Sequence, residues 1–215
     1  MRVTKHQTGS PRLISDTVEL HYSTDITVGA LMLPESRIIA DLLLRNFSND
    51  AFRSAVQTDN VLKLRSKVRA ARVAHLIRAR LQTMQPPLWT MIRDGSGTLA
   101  THAALAAAVK HSRLLADFLR LVVADQYRIF GKSLSNKLWN DYIDGCRERD
   151  ITLPEWKEST RVRLRSSVFQ ILAQSGYIES SRSLKLQSVH IADDVLRYLN
   201  SHHDDFVVRC IEVGP

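Results

Sequence analysis

Cysteine is nearly absent: Cys146 and Cys210 are the only two among 215 residues. Two thiols are too few for a disulfide framework or a cysteine-based zinc site, and both fit a reduced compartment as ordinary small side chains. Glycine (8) and proline (6) are also scarce. All-β folds spend those residues on turns, so the shortage points to helices. No run approaches the roughly 20 apolar residues that span a bilayer. The longest candidate, 26–44, is interrupted by Pro34, Glu35, Arg37 and Asp41. Arg2 and Lys5 are not followed by an apolar stretch, so no secretory leader is expected. These absences describe a soluble, cytoplasmic, mainly α chain without a membrane partner.

Motifs for chemistry are missing as well. There is no glycine-rich phosphate loop, no G-x-S-x-G elbow and no H-E-x-x-H. His202 and His203 are adjacent and cannot both face one ion from a regular helix, while His102 and His111 are nine apart. The pairs Asp193-Asp194 and Asp204-Asp205 are what a metal-dependent nuclease would need, but they fall near helix ends, where carboxylates serve as caps. Trp89, Trp139 and Trp156 are read as packing residues rather than stacking platforms for bases. The expectation is a protein that is not an enzyme, with no catalytic residue, metal, cofactor or small-molecule substrate.

The remaining absence is the informative one. Between Asn60 and Arg93 there is no Asp or Glu, while the same window holds Lys63, Arg65, Lys67, Arg69, Arg72, Arg78, Arg80 and Arg93. That local charge equals the +8 of the whole chain. At 100° per residue, Arg65, Arg69, Arg72 and Arg80 fall within about 80° of one helix face. A solvated face normally mixes in acids, because i,i+4 pairs stabilise it and like charges oppose it. Arginines without a counter-charge suggest an anion from outside, and guanidinium matches phosphate with two parallel hydrogen bonds. The alternative is neutralisation by acids from elsewhere in the fold, such as Asp41 or Asp117.

Periodicity gives the scaffold. Residues 1–24 read as an N-terminal extension with a possible short strand at 17–22. A helical domain over 25–150 then opens at Pro34, a residue suited to the first helical position. Ser48 looks like the cap of a helix over Asn49 to Gln57. A third helix should run from Ser66 to Met84, burying Ala70, Val73, Ala74, Ile77 and Leu81. Helical pattern resumes from Leu99 to Phe130 with a break near 111–113, and again from Ser133 to Arg149. Residues 151–215 read as a winged-helix-like subdomain: a helix capped by Ser159 and closed by Gly176, a short β-hairpin (177–179 with 184–189), and a last helix over 192–201. Its basic residues are Arg161, Arg163, Arg165, Arg182 and Lys185. Arg163, Ser167, Gln170 and Gln174 share one face, and arginine and glutamine can read guanine and adenine in a major groove.

Two segments carry a resemblance: Gly29-Ala30-Leu31-Met32-Leu33-Pro34-Glu35-Ser36-Arg37, and Ser159-Thr160-Arg161 through Ile171-Leu172-Ala173-Gln174-Ser175-Gly176-Tyr177-Ile178-Glu179-Ser180, with Leu88-Trp89 and Lys110-His111 between them. As an ordered set over roughly 25–210, the chain resembles the BrxA family of BREX phage-defence systems. The resemblance implies a cytoplasmic helical bundle similar to the antitermination protein NusB. It also implies non-catalytic binding of double-stranded DNA and work alongside other BREX proteins. It supplies no site residues. The candidates rest on charge: Lys63, Arg65, Lys67, Arg69, Arg72 and Arg80, then Arg161, Arg163, Arg165, Arg182 and Lys185. An RNA-binding or protein-docking scaffold with a NusB-like fold is the alternative reading.

Overall fold

Helices form because serines close their N-termini. In a computed structural model that describes residues 22–214, Ser48, Ser66, Ser96, Ser112 and Ser135 each accept a hydrogen bond from a backbone N–H in the first turn that follows. Each such cap contributes about 1 kcal/mol by satisfying an N–H that the helix itself cannot. A 3-10 turn, Asp25–Val28, precedes α1 (Leu33–Leu44), α2 (Asn49–Gln57), α3 (Lys67–Gln82) and α4 (Pro86–Asp94). Next come α5 (Gly97–His111) and α6 (Arg113–Asp117), a π-helical stretch Phe118–Val123, and α7 (Ala124–Arg128). The chain then adds α8 (Asn136–Arg149), α9 (Glu158–Gln174), α10 (Asp193–Ser201) and α11 (Asp205–Ile211). The possible strand at 17–22 lies almost wholly outside the described residues. Among the described residues no helix is long and apolar enough to cross a membrane.

α5 is the axis. Ala103, Ala104, Leu105, Ala106, Ala107, Ala108 and Val109 are all buried, and a helix that is apolar all round belongs inside a core. Its alanines let α1, α3, α4, α6, α10 and α11 approach it from several sides. A second focus is aromatic. Phe118 of the π-helical stretch meets Trp139 and Tyr142 of α8 edge-on, at ring distances of 5.3 and 5.2 Å, and Phe169 of α9 at 6.2 Å. These rings join α8 and α9 to the centre of the molecule, and the packing reading of Trp139 holds.

The expected β-hairpin is not formed. In its place are two isolated antiparallel bridges, Ser133 with Lys185 and Ile178 with Leu186. Leu184 sits in the left-handed region (φ 54°), which breaks the extended run. The Glu179 and Gln187 N–H groups still cross to the Lys185 and Tyr177 carbonyls, while the Leu186 N–H points the other way, to the Lys132 carbonyl. Ser159 is not the cap of α9 either, since that helix already begins at Glu158. By contrast Gly176 closes α9 with φ 86°, a conformation that costs most other residues a clash. Periodicity did not identify α11, whose seven residues are too few to show a repeat.

His102 illustrates how the core uses polar groups. It is 5% exposed, and its Nδ1 accepts from the Ala192 N–H at 3.0 Å. Burial holds the imidazole below its ordinary value, partly offset by a hydrogen bond to the Ser175 backbone. The unfolded chain therefore takes up this proton at a higher pH than the folded one. Stability is complete above the ordinary imidazole range and falls as pH drops through it toward the lower folded value. Urea melts at pH 7.5, 6.5 and 5.5 should show that loss, and His102→Gln should flatten it.

One feature runs against stability. Phe130 follows the end of α7 with φ 55° and is 91% exposed. A left-handed non-glycine residue costs roughly 1–2 kcal/mol, and no burial of the ring offsets it here.

Candidate nucleic-acid interface

The segment resembling a family motif, 29–37, turns out to be a structural joint. Arg80, 4% exposed, donates from Nη1 to the Ala30 carbonyl at 2.6 Å and from Nη2 to the Gly29 carbonyl at 3.3 Å. The Leu31 N–H is taken by the Gln174 side chain at 3.1 Å, and Ser36 Oγ returns to the Leu31 carbonyl at 2.9 Å. Thus α3 and α9 both grip the entry to α1. Burial depresses the Arg80 guanidinium to about 10, with the Asp25 carboxylate holding it up. Asp25 is in turn bonded by His111 at 2.6 Å and Ser23 at 2.9 Å. Arg80 is therefore structural and leaves the list of binding residues. The wheel placed it on the edge of the basic face, but that edge is covered by the 25–30 segment.

The other cations of the 60–93 window divide cleanly. Arg78 donates to the Asn49 side chain at 2.7 Å and lies over the Phe52 ring. Arg93 pairs with Asp94 and Asp41. Lys63, Arg65, Lys67, Arg69 and Arg72 are exposed and have no carboxylate within 4 Å among the described residues. The acids named as possible neutralisers are engaged elsewhere. Asp41 takes Arg45 and Arg93, while Asp117 is buried and accepts from Arg113, Arg120 and the Tyr22 hydroxyl.

Position sharpens the point. These five cations precede α3 or occupy its first two turns, and no acid stands in the first turn. Free N–H groups give a helix N-terminus a partial positive charge, which normally draws Asp and Glu. Cations there raise the potential further, and the same N–H groups favour a phosphate oxygen. The arrangement opposes folding stability and favours an external anion.

The C-terminal cluster is thinner than the sequence suggested. Arg161 is bound to Asp144 at 2.7 Å and to the Asn140 carbonyl, so it fastens α9 to α8. Arg163, Arg165, Arg182 and Lys185 carry no ion pair among the described residues. Arg165 is only partly exposed, and the other three are exposed. The face proposed to read bases is divided: Arg163, Gln170 and Gln174 are exposed, whereas Ser167 is buried and the Gln174 side chain already accepts from the Leu31 N–H. α3 and α9 both pack against the 3-10 turn.

The acid pairs stand at helix starts but make no side-chain cap: Asp193 and Asp194 open α10, with Asp194 paired to Arg197, and Asp204 precedes α11 while binding Lys110 at 2.5 Å. No group of three or more His, Cys, Asp or Glu close enough to share a metal ion occurs among the described residues.

A family profile described as BrxA matches residues 20–203. The chain is 48% identical over 196 residues to a BREX protein BrxA of Paramagnetospirillum magneticum, covering 91% of this chain and 98% of that one. It is 31% identical over 188 residues to a BREX protein BrxA of Escherichia coli O9:H4, covering 87% and 88%. A crystal structure of an uncharacterized protein from Magnetospirillum magneticum superposes with a TM-score of 0.85 at 46% identity, over 90% of this chain and 99% of that chain.

Proposed function

This chain belongs to the BrxA family, and from that premise we propose that it is a non-catalytic, cytoplasmic DNA-binding component of a BREX defence system, working with other BREX proteins. The single observation that supports DNA as partner is the unpaired cation group at the start of α3: Lys63, Arg65, Lys67, Arg69 and Arg72. These side chains hold phosphates, and the α3 N-terminus adds its own N–H groups to the field. Arg163, Arg165, Arg182 and Lys185 extend the contact as a second, weaker group in the 151–215 part, with 25–150 as the helical platform. A NusB-like helical scaffold would suit this division of labour.

Binding of this kind depends on counterion release. With about four to six phosphates engaged, log K should fall against log salt with a slope of roughly −4 to −5. A fluorescence-anisotropy titration on a 20–30 base-pair duplex between about 50 and 200 mM salt measures it. A flat salt response, or no duplex binding at the lowest salt, removes the proposal. Equal affinity for unrelated duplexes is expected, because phosphate contacts position a protein without reading sequence.

A further inference from the structure

A cleft of about 380 Å³ that shares no residue with either basic cluster lies between the π-helical stretch, α7 and α11. Arg120, Tyr127 and Arg128 line one wall, Arg209 and Glu212 the other, and Phe130 stands at the edge. Ala124, Tyr127 and Arg128 fall at i, i+3 and i+4 of α7, so one face of that helix presents all three. Single turns of π-helix inside α-helices are frequent at functional sites, and Arg120 sits inside this one.

The charges are unevenly committed. Arg120 shares the buried Asp117 with Arg113. Arg128 and Arg209 are exposed, and neither has an ion pair or a hydrogen bond among the described residues. Glu212 is the one acid in the lining and leaves an excess of positive charge. Tyr127 is fixed as a wall, its hydroxyl donating to the Gln187 carbonyl at 2.5 Å. Phe130 is an aromatic ring presented to solvent on strained backbone at the cleft that Arg128 and Arg209 line. Strain kept at an exposed position is a pointer to use rather than to folding.

We propose that this cleft takes an unpaired nucleotide, with phosphate on Arg128 and Arg209 and the base stacked on Phe130. Guanidinium planes with an exposed aromatic are what unstacked nucleotides recognise. The chemistry is the same for a free nucleoside phosphate and for an unpaired nucleotide at the end of a nucleic acid. The site shares no residue with the α3 or α9 clusters and does not rest on the duplex-binding reading.

The test uses the full chain in two arms. Calorimetry with ATP and with pyrophosphate reads the free ligand. Anisotropy of a blunt duplex against one carrying a two-nucleotide overhang reads the nucleic-acid end. Binding of ATP, or a gain for the overhang over the blunt end, supports the site and tells the source. Arg128→Glu with Arg209→Glu should weaken that signal at least tenfold. Phe130→Gly should weaken it about fivefold or more, with a melting temperature no lower than wild type because glycine tolerates this backbone. Charge reversal on α3 should leave ATP binding in place, which separates failure here from failure of the duplex reading. Neither ATP nor the overhang giving a signal would overturn the proposal. So would pyrophosphate binding as well as ATP with Phe130→Gly unaffected, or a glutamate-rich peptide binding more tightly than ATP.

Discussion

Changing Arg65, Arg69 and Arg72 together to glutamate is expected to weaken duplex binding at least about a hundredfold near 50 mM salt, and to reduce the salt slope by about 3. Each substitution removes one phosphate contact and places a carboxylate where the DNA backbone would pass. The folded protein should not suffer. None of the three side chains has an ion pair or a side-chain hydrogen bond to lose, and all three are exposed. Arg69 and Arg72 are three apart on α3, as like charges that oppose each other on a helix, and acids suit the α3 N-terminus better than cations. Helicity by circular dichroism should match the wild type, with an unchanged or higher melting temperature. Retained binding would mean that the α3 cations have another purpose. Loss of both binding and fold would mean that they are structural.

Arg80→Ala should give the opposite pattern. Truncation leaves the Gly29 and Ala30 carbonyls without their donor, removes the guanidinium that faces Asp25, and opens space behind the 25–30 turn. Deleting one member of a buried, hydrogen-bonded charge network costs about 3–5 kcal/mol. For a chain of this size that lowers the melting temperature by about 10 °C. Guanidinium chloride unfolding measures the loss. In the fraction that remains folded, the salt slope of DNA binding should be that of the wild type, since Arg80 reaches no solvent. A wild-type melting temperature would show that the joint at 29–31 is held by Gln174 and Ser36 alone. The pair of variants separates two arginines on one helix that composition and spacing treat as equals.

Much of this architecture was legible before the fold was known. α2 was placed at its observed ends because Ser48 signals a start, and α3 because Ser66 is followed by apolar residues at helical spacing. The proline that opens α1 and Gly176 after α9 were readable for the same local reason: each satisfies a backbone constraint within a few residues. The alternation at 177–189 promises a strand pair, but only an isolated bridge forms between Ile178 and Leu186, because the left-handed Leu184 cuts the extended run short. The candidate interface was legible as a charge window but not as a list. Arg72 and Arg80 are eight apart on nearly one face, yet the first is exposed and the second is enclosed by residues fifty positions earlier. The Arg128–Arg209 cleft gave no sequence signal, since its two walls are about eighty residues apart.

Helix starts and stops, the apolar stripes and the stretch without acids are fixed by the order of residues alone, because each depends on interactions within a turn or two. Which arginines remain without a partner among the described residues was decided by the tertiary structure. A guanidinium is spent or free according to the carbonyls and carboxylates that distant segments bring within about 3 Å, and no local rule carries that information.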